Sequence, residues 1–234
     1  HVLTIPHFSL AFTQTSKHVR TGVLRPGQVP FIVDLARAIT GRETFRPIFS
    51  AVDCTISPLT HDGPMTEACI ELARREVPIV VYPMPLAGGT APVTRAGTVL
   101  LHNVEFLSGL VLFQAVNTGT PIIYGTGVSQ LDMRTGRYGG SADGHGMRLA
   151  LREMARFYDL PVNLWGLSTA SPALDAQYGY EATTACLLAR LAGADEIYSA
   201  GLLDSAQVLS LEKMVLDNHL IRQIDLTVRP LEVD

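Results

Sequence analysis

Pro78-Ile79-Val80-Val81-Tyr82 and Pro121-Ile122-Ile123-Tyr124 are unbroken apolar runs, each opened by a proline and closed by a tyrosine. A strand with one wet face alternates apolar with polar residues. A run without a polar face belongs to a strand covered on both sides, as in a parallel sheet. Working outward, these runs extend to strands over Val77–Pro83 and Thr120–Thr126, and others are expected near Leu10–Gln14, Arg46–Asp53, Pro161–Gly166 and Glu196–Ala200. Helices fit between them. Asp62-Gly63-Pro64 reads as a cap and early proline opening Met65–Arg75, and Thr90-Ala91-Pro92 opens a long helix to about Asn117. Asp143 can cap a helix reaching Tyr158, Asp175 one over Ala176–Leu191 stopped by Gly193, and Ser210 one over Leu211–Ile224.

The alternation predicts an α/β fold with a parallel sheet. No GxGxxG follows an early strand, and the turns after strands are long and polar, as in Pro83–Ala91 and Gly125–Asp143. Both features favour a (β/α)8 TIM barrel over an open doubly wound sheet. About six of the eight units are visible. The expectation is therefore an incomplete barrel: a single domain over residues 1–234, a fragment lacking its N-terminal units.

Composition narrows the function. With 47% hydrophobic and 17% charged residues, the chain can bury a core and does not read as disordered. Its net charge of −4 is spread without a basic cluster, which speaks against nucleic acid as a partner. The apolar stretch Phe106–Val116 is interrupted by Gln114 and is shorter than a membrane span, so no membrane association is expected. Cys54, Cys69 and Cys186 are odd in number and widely spaced, without a CxxC. With no signal peptide after His1, they suggest a reduced, cytoplasmic protein.

Reactive groups of a barrel sit at the C-terminal ends of its strands. Those ends carry Tyr82, Tyr124 and Trp165, the only tryptophan, with Tyr198 further on. Aromatic faces attract cations, quaternary ammonium groups above all, so these rings are candidates for a cage; core packing is the plainer reading. Arg95 and Arg134 follow strands and could hold a carboxylate by paired hydrogen bonds. His145 lies in the Gly- and Asp-rich turn Gly139–Gly146. None of the seven histidines pairs with another or with a cysteine at ligand spacing, so no metal site is expected. GxSxG and the Walker pattern are absent, and Lys17 and Lys213 are the only lysines. Arg137-Tyr138-Gly139-Gly140-Ser141 could seat an anion, although Asp143 would repel a phosphate.

Tyr82-Pro-Met-Pro-Leu-Ala-Gly-Gly-Thr-Ala-Pro-Val-Thr94, Leu131-Asp-Met-Arg-Thr-Gly136 and Asp175-Ala-Gln-Tyr-Gly-Tyr-Glu181, with Ser57-Pro-Leu59 and Ala200-Gly-Leu-Leu-Asp204, occur in order along most of the chain. Together they resemble the trimethylamine:corrinoid methyltransferase family, in its branch without pyrrolysine. The resemblance implies a (β/α)8 barrel that moves a methyl group from an amine to the Co(I) of a corrinoid. That cobalamin-type group is supplied by a separate corrinoid protein, with no cofactor tightly bound to the barrel. Relatives of the branch act on glycine betaine or similar quaternary amines. Where many members have an acid and a lysine before the Asp175 motif, this chain has Ala170 and Ser171. Where they tend to have Glu, it has Asp143.

The expected function is thus transfer of methyl from a quaternary amine. Tyr82, Tyr124 and Trp165 would face the nitrogen, Arg95, Arg134 or His145 would bind a betaine carboxylate, and Gln177 and Asp143 would orient polar groups. No catalytic residue is assigned. The alternatives are a barrel that binds quaternary amines without turnover, and an unrelated lyase or hydrolase using Asp143 or Asp204 as base. A homo-oligomer is the default assembly for such barrels.

Overall fold

The computed structural model of the protein describes residues 4–41, 48–140 and 142–230, so Arg46 and Ser141 of the stretches above lie outside it. Six strands pair in chain order: β1 (Val19–Gly22), β2 (Phe49–Asp53), β3 (Ile79–Val81), β4 (Ile122–Thr126), β5 (Val162–Trp165) and β6 (Glu196–Tyr198). The pairings β1–β2, β2–β3, β3–β4 and β5–β6 are parallel. Helices alternate with them: α1 (Thr4–Gln14), α2 (Val29–Thr40), α3 (Gly63–Ala73), α4 (Arg95–Val116), α5 (Ala142–Phe157), α6 (Ala176–Leu191) and α7 (Leu211–Thr227). Parallel strands in sequential order with helical crossovers are the pattern of an incomplete (β/α)8 barrel. Every residue of β2, β3 and β5 is buried, as the continuous apolar run of β3 requires; β2 and β5 also bury the polar Ser50, Asp53 and Asn163.

The first expected strand is a correction. Leu10–Gln14 is the end of α1. Phe8 and Phe12, one turn apart, are buried and reach Phe49 at ring distances of 5.2 and 5.8 Å, while Leu10 is 63% exposed. Helical spacing, not alternation, organises the segment. The sheet's first strand is instead β1, whose polar residues are all half-buried. The unanticipated α2 buries Val29, Ile32, Val33 and Ala36 on one face and ends at Gly41, whose φ of 64° suits glycine.

Three of the expected caps are in place: Asp62, Asp175 and Ser210 accept hydrogen bonds from the backbone N–H of Met65, Tyr178 and Lys213. Helix α4 starts later than expected, because Leu86–Ala87 pairs with Ser129–Gln130 and Thr94 accepts from the Gly97 N–H at 3.3 Å. Asp143 lies inside the first turn of α5 rather than before it. By length and composition α4 is long and apolar enough to cross a membrane. It nonetheless buries Glu105 and His102 within the protein, and a lipid-facing span avoids such groups.

The chain forms two compact units. One comprises His1–Pro83 and Val104–Tyr124, and the other Met84–Asn103 and Gly125–Asp234. In the first, the core gathers around Phe8, Phe12 and Phe49 and around Phe106 against Tyr124. In the second, Leu167, Cys186 and Ile224 pack with Leu187, Ile197 and Leu220.

Candidate functional site

In the second unit, the loop after β4, the loop after β5 and the start of α6 enclose a cavity of about 320 Å³. Tyr138, Arg137, Asp132, Gln177 and Glu181 line it, with the backbone of Gly139 and Gly140. Asp175 caps α6 and sets its first turn, so Gln177 and Glu181, four residues apart, share one face. Glu181 is 6% exposed. Its carboxylate accepts hydrogen bonds from Thr169 Oγ1 (2.6 Å), the Ala170 N–H (2.8 Å) and Gln177 Nε2 (3.0 Å). Buried carboxylates need such donors. A side chain at position 140 would put its Cβ 2.1–2.4 Å from this carboxyl, so glycine is what lets the loop lie against it.

The loop is pinned from behind. Arg148 of α5, 3% exposed, donates to the carbonyls of Val128 and Gly139, both at 3.2 Å. The Gly139 carbonyl also accepts from Ser168 Oγ at 3.0 Å, and the Gly139 N–H donates to Ser129 Oγ at 3.0 Å. The φ of Gly139 is 118°, which a side chain would strain. Tyr138 is tied to Ser205 by hydrogen bonds in both directions, 3.0 and 2.6 Å.

The expected site residues are distributed unevenly. Gln177 lies in the cavity. Tyr82 and Tyr124 belong to the first unit and Trp165 to the second. Tyr124 is fully buried with its ring 4.0 Å from that of Phe106, and Tyr82 is 5% exposed. Trp165 is 4% exposed; the Arg148 guanidinium lies 4.6 Å over its ring, and Tyr138 and Tyr198 are at 5.9 and 6.3 Å. Arg95 and Asp143 meet each other at 3.5 Å, both well exposed. Arg134 stands in solvent, 92% exposed. His145 is buried with Nδ1 3.2 Å from Arg148. Burial, then the Arg148 charge, pushes its pKa down to about 4 against the pull of Glu181, so the ring is neutral at pH 7.

Of the residues that line or brace the cavity, Arg137 and Tyr138 stood in the stretch read as a possible anion seat and Glu181 in a family motif, while Arg148 was not singled out. The available signal was the Gln177/Glu181 spacing on a capped helix. A larger cavity, about 540 Å³, is lined by α4 from Arg95 to Asn103 and by α5 from Gly146 to Met154. Its lining is apolar apart from Arg95 and Asn103, so it offers little chemistry. The three cysteines are free, and burial pushes Cys54 and Cys186 up to about 11, which keeps both as thiols. Among the described residues no three potential metal ligands cluster.

The cavity brings together an anchored carboxylate, an aromatic ring and an amide, with an arginine at the side. Residues 4–234 match the family model for trimethylamine methyltransferase. A trimethylamine methyltransferase of Desulfitobacterium hafniense is 33% identical over 99% of this chain and 48% of its own length. One from Methanosarcina mazei is 36% identical over 80% of the chain and 38% of its own. A glycine betaine methyltransferase of Desulfitobacterium hafniense is 33% identical over 75% of the chain and 37% of its own. The chain thus spans less than half the length of these relatives.

Proposed function

The chain belongs to the trimethylamine methyltransferase family, and from that premise we propose that it takes a methyl group from a quaternary amine, glycine betaine or a close relative, and passes it to the Co(I) of a separate corrinoid protein. The observation that carries the reading is the Glu181 carboxylate, held by three hydrogen bonds beside Tyr138 in one cavity.

A quaternary ammonium already carries its charge, and its leaving group is a neutral tertiary amine. The protein must hold the cation, aim one methyl outward and exclude water. The charge disappears in the transition state, so gripping it too tightly slows the reaction. Glu181 meets this requirement: three donors already draw on its charge, which moderates its pull on the ligand. Tyr138 supplies the ring face. The rings expected for this role have other neighbours: Phe106 beside Tyr124 and the Arg148 guanidinium over Trp165.

A betaine also brings a carboxylate. Arg137 lines the cavity and pairs with Asp204 at 2.9 Å, so it is oriented before a ligand arrives. It fits that role better than exposed Arg95 and Arg134 or neutral His145. Co(I) survives only in reducing surroundings, which with three free cysteines favours the cytoplasm. The test is the purified full chain with a reduced corrinoid protein and a panel of quaternary amines. Methyl–cobalt absorbance that depends on one quaternary amine is expected. Absorbance from trimethylamine alone, or from none of the panel, would reject the proposal.

A further inference from the structure

In the first unit, a second constellation gathers at the C-terminal end of β2. Asp53 is fully buried; its Oδ1 accepts from Thr66 Oγ1 at 2.8 Å and its Oδ2 faces His61 Nδ1 at 3.8 Å. At that distance the second contact is longer than a hydrogen bond, as apo catalytic pairs can be. Neither Oδ2 nor Nδ1 has a hydrogen-bond partner among the described residues. The other nitrogen of the ring, Nε2, lies 2.9 Å from Ser108 Oγ on α4. A cavity of about 200 Å³ opens beside them, with Glu105, Thr55 and Thr60 in its wall.

The order carboxylate, imidazole, hydroxyl is that of a nucleophilic triad. It is recognised by geometry and not by sequence position, which is why the missing GxSxG does not exclude it. The neighbours also choose the tautomer. Facing a carboxylate, Nδ1 carries the proton, which leaves the Nε2 lone pair to accept the Ser108 hydroxyl proton. We propose that Ser108, His61 and Asp53 form an acyl-transfer site for small activated esters.

In the first step a bond forms between Ser108 Oγ and the acyl carbon. The hydroxyl proton passes to His61 Nε2 and from there to the departing alkoxide or phenoxide. In the second step water attacks the acyl-serine, His61 again takes and returns the proton, and the free acid leaves. No oxidant or metal is consumed. Substrate class follows from the wall. Glu105 is 2% exposed, and its oxygens accept from Thr55 Oγ1, Ser57 Oγ and the Leu59 N–H at 2.6–2.8 Å. This fixed carboxylate disfavours an anionic acyl group, so neutral or cationic ones are expected, and a cavity of about 200 Å³ limits the ester to a small one.

The groups facing His61 are Asp53 and Glu105, and both favour its protonated form. Protonated Nε2 donates to Ser108 and cannot activate it, so reactivity should appear only as pH rises past the raised pKa of the ring.

The experiment treats the full chain with a fluorophosphonate probe and locates the adduct by mass spectrometry. The expected adduct is on Ser108, absent in Ser108→Ala, slowed about hundredfold in His61→Ala, the order of a general-base contribution, and with an acid limb in its rate. Circular dichroism of the folded variants excludes loss of structure as the cause. No adduct, an adduct on another residue, or undiminished labelling in folded His61→Ala would overturn the proposal.

Discussion

Replacing Gly140 by alanine tests how the cavity beside Glu181 is built. The new Cβ would fall 2.1–2.4 Å from the Glu181 carboxyl, where ordinary contact begins near 3.4 Å. Either the carboxyl retreats by about 1 Å or the loop does. The loop is held by Arg148, Ser129 and Ser168 through Gly139, so the side chain is expected to yield. A retreat of that size stretches the bonds from Thr169 and Ala170, now 2.6 and 2.8 Å, beyond hydrogen-bond range. Hydrogen bonds to a charged group contribute about 1.5–3 kcal/mol each, so the two together set a ceiling of roughly 3–6 kcal/mol. Partial relaxation should leave a loss of about 2–4 kcal/mol. Gly179→Ala is the matched control. An added Cβ there meets nothing within 4 Å, and the site lies inside α6, so a gain of about 0.5–1 kcal/mol is expected. Urea unfolding reads both variants, and calorimetric titration with a trimethylammonium compound reads the cavity. Gly140→Ala unfolding within about 0.5 kcal/mol of the parent, with unchanged ligand affinity, would refute the reasoning.

Three further outcomes follow from the titratable groups. Lys213 and Asp217 are both fully buried and pair at 2.6 Å, and Tyr178 and the Gly201 N–H also donate to Asp217. Lys213→Met strands that carboxylate and should cost about 3–5 kcal/mol in urea unfolding. The double variant Lys213→Met/Asp217→Leu should cost less than the single one. The pKa of His145 is held down to about 4 and that of fully buried His102 to about 3, in both cases chiefly by burial. A depressed pKa means that the unfolded chain takes up protons first. Stability is therefore full above about pH 6.5 and should fall between that pH and about 3–4. Flat stability across this window would contradict the burial of both rings. His61 has the opposite sign, with its pKa raised by Asp53. Its small contribution is present below the unfolded value and lost as pH rises through the folded one. An NMR titration should place it above 6.5, with Asp53→Asn bringing it down.

The fold was legible where one physical signal acted alone. The runs at Ile79–Val81 and Ile122–Tyr124 are apolar because both faces are covered, and Asp62, Asp175 and Ser210 announce their helices as caps. Reading failed where signals compete. Leu10-Ala-Phe12 looks like a strand until the four-residue spacing of Phe8 and Phe12 is weighed. β1 is half-buried and polar, with no hydrophobic pattern to reveal it. In the cavity, Gln177 belongs to a motif visible in the sequence. Tyr138 and Glu181 come together only because the loop after β4 folds onto α6, and Arg148 acts through carbonyls at positions 128 and 139. The triad joins residues 53, 61 and 108 through tertiary contacts that no local spacing encodes.

The most direct test of the central claim is a crystal structure of the full chain with a quaternary ammonium compound that cannot react. The ligand nitrogen should lie within about 6 Å of the Tyr138 ring centroid, the range of a cation–π contact, with the Glu181 carboxylate beside it. A well-ordered ligand bound elsewhere, with Tyr138 and Glu181 unchanged and untouched, would contradict the account.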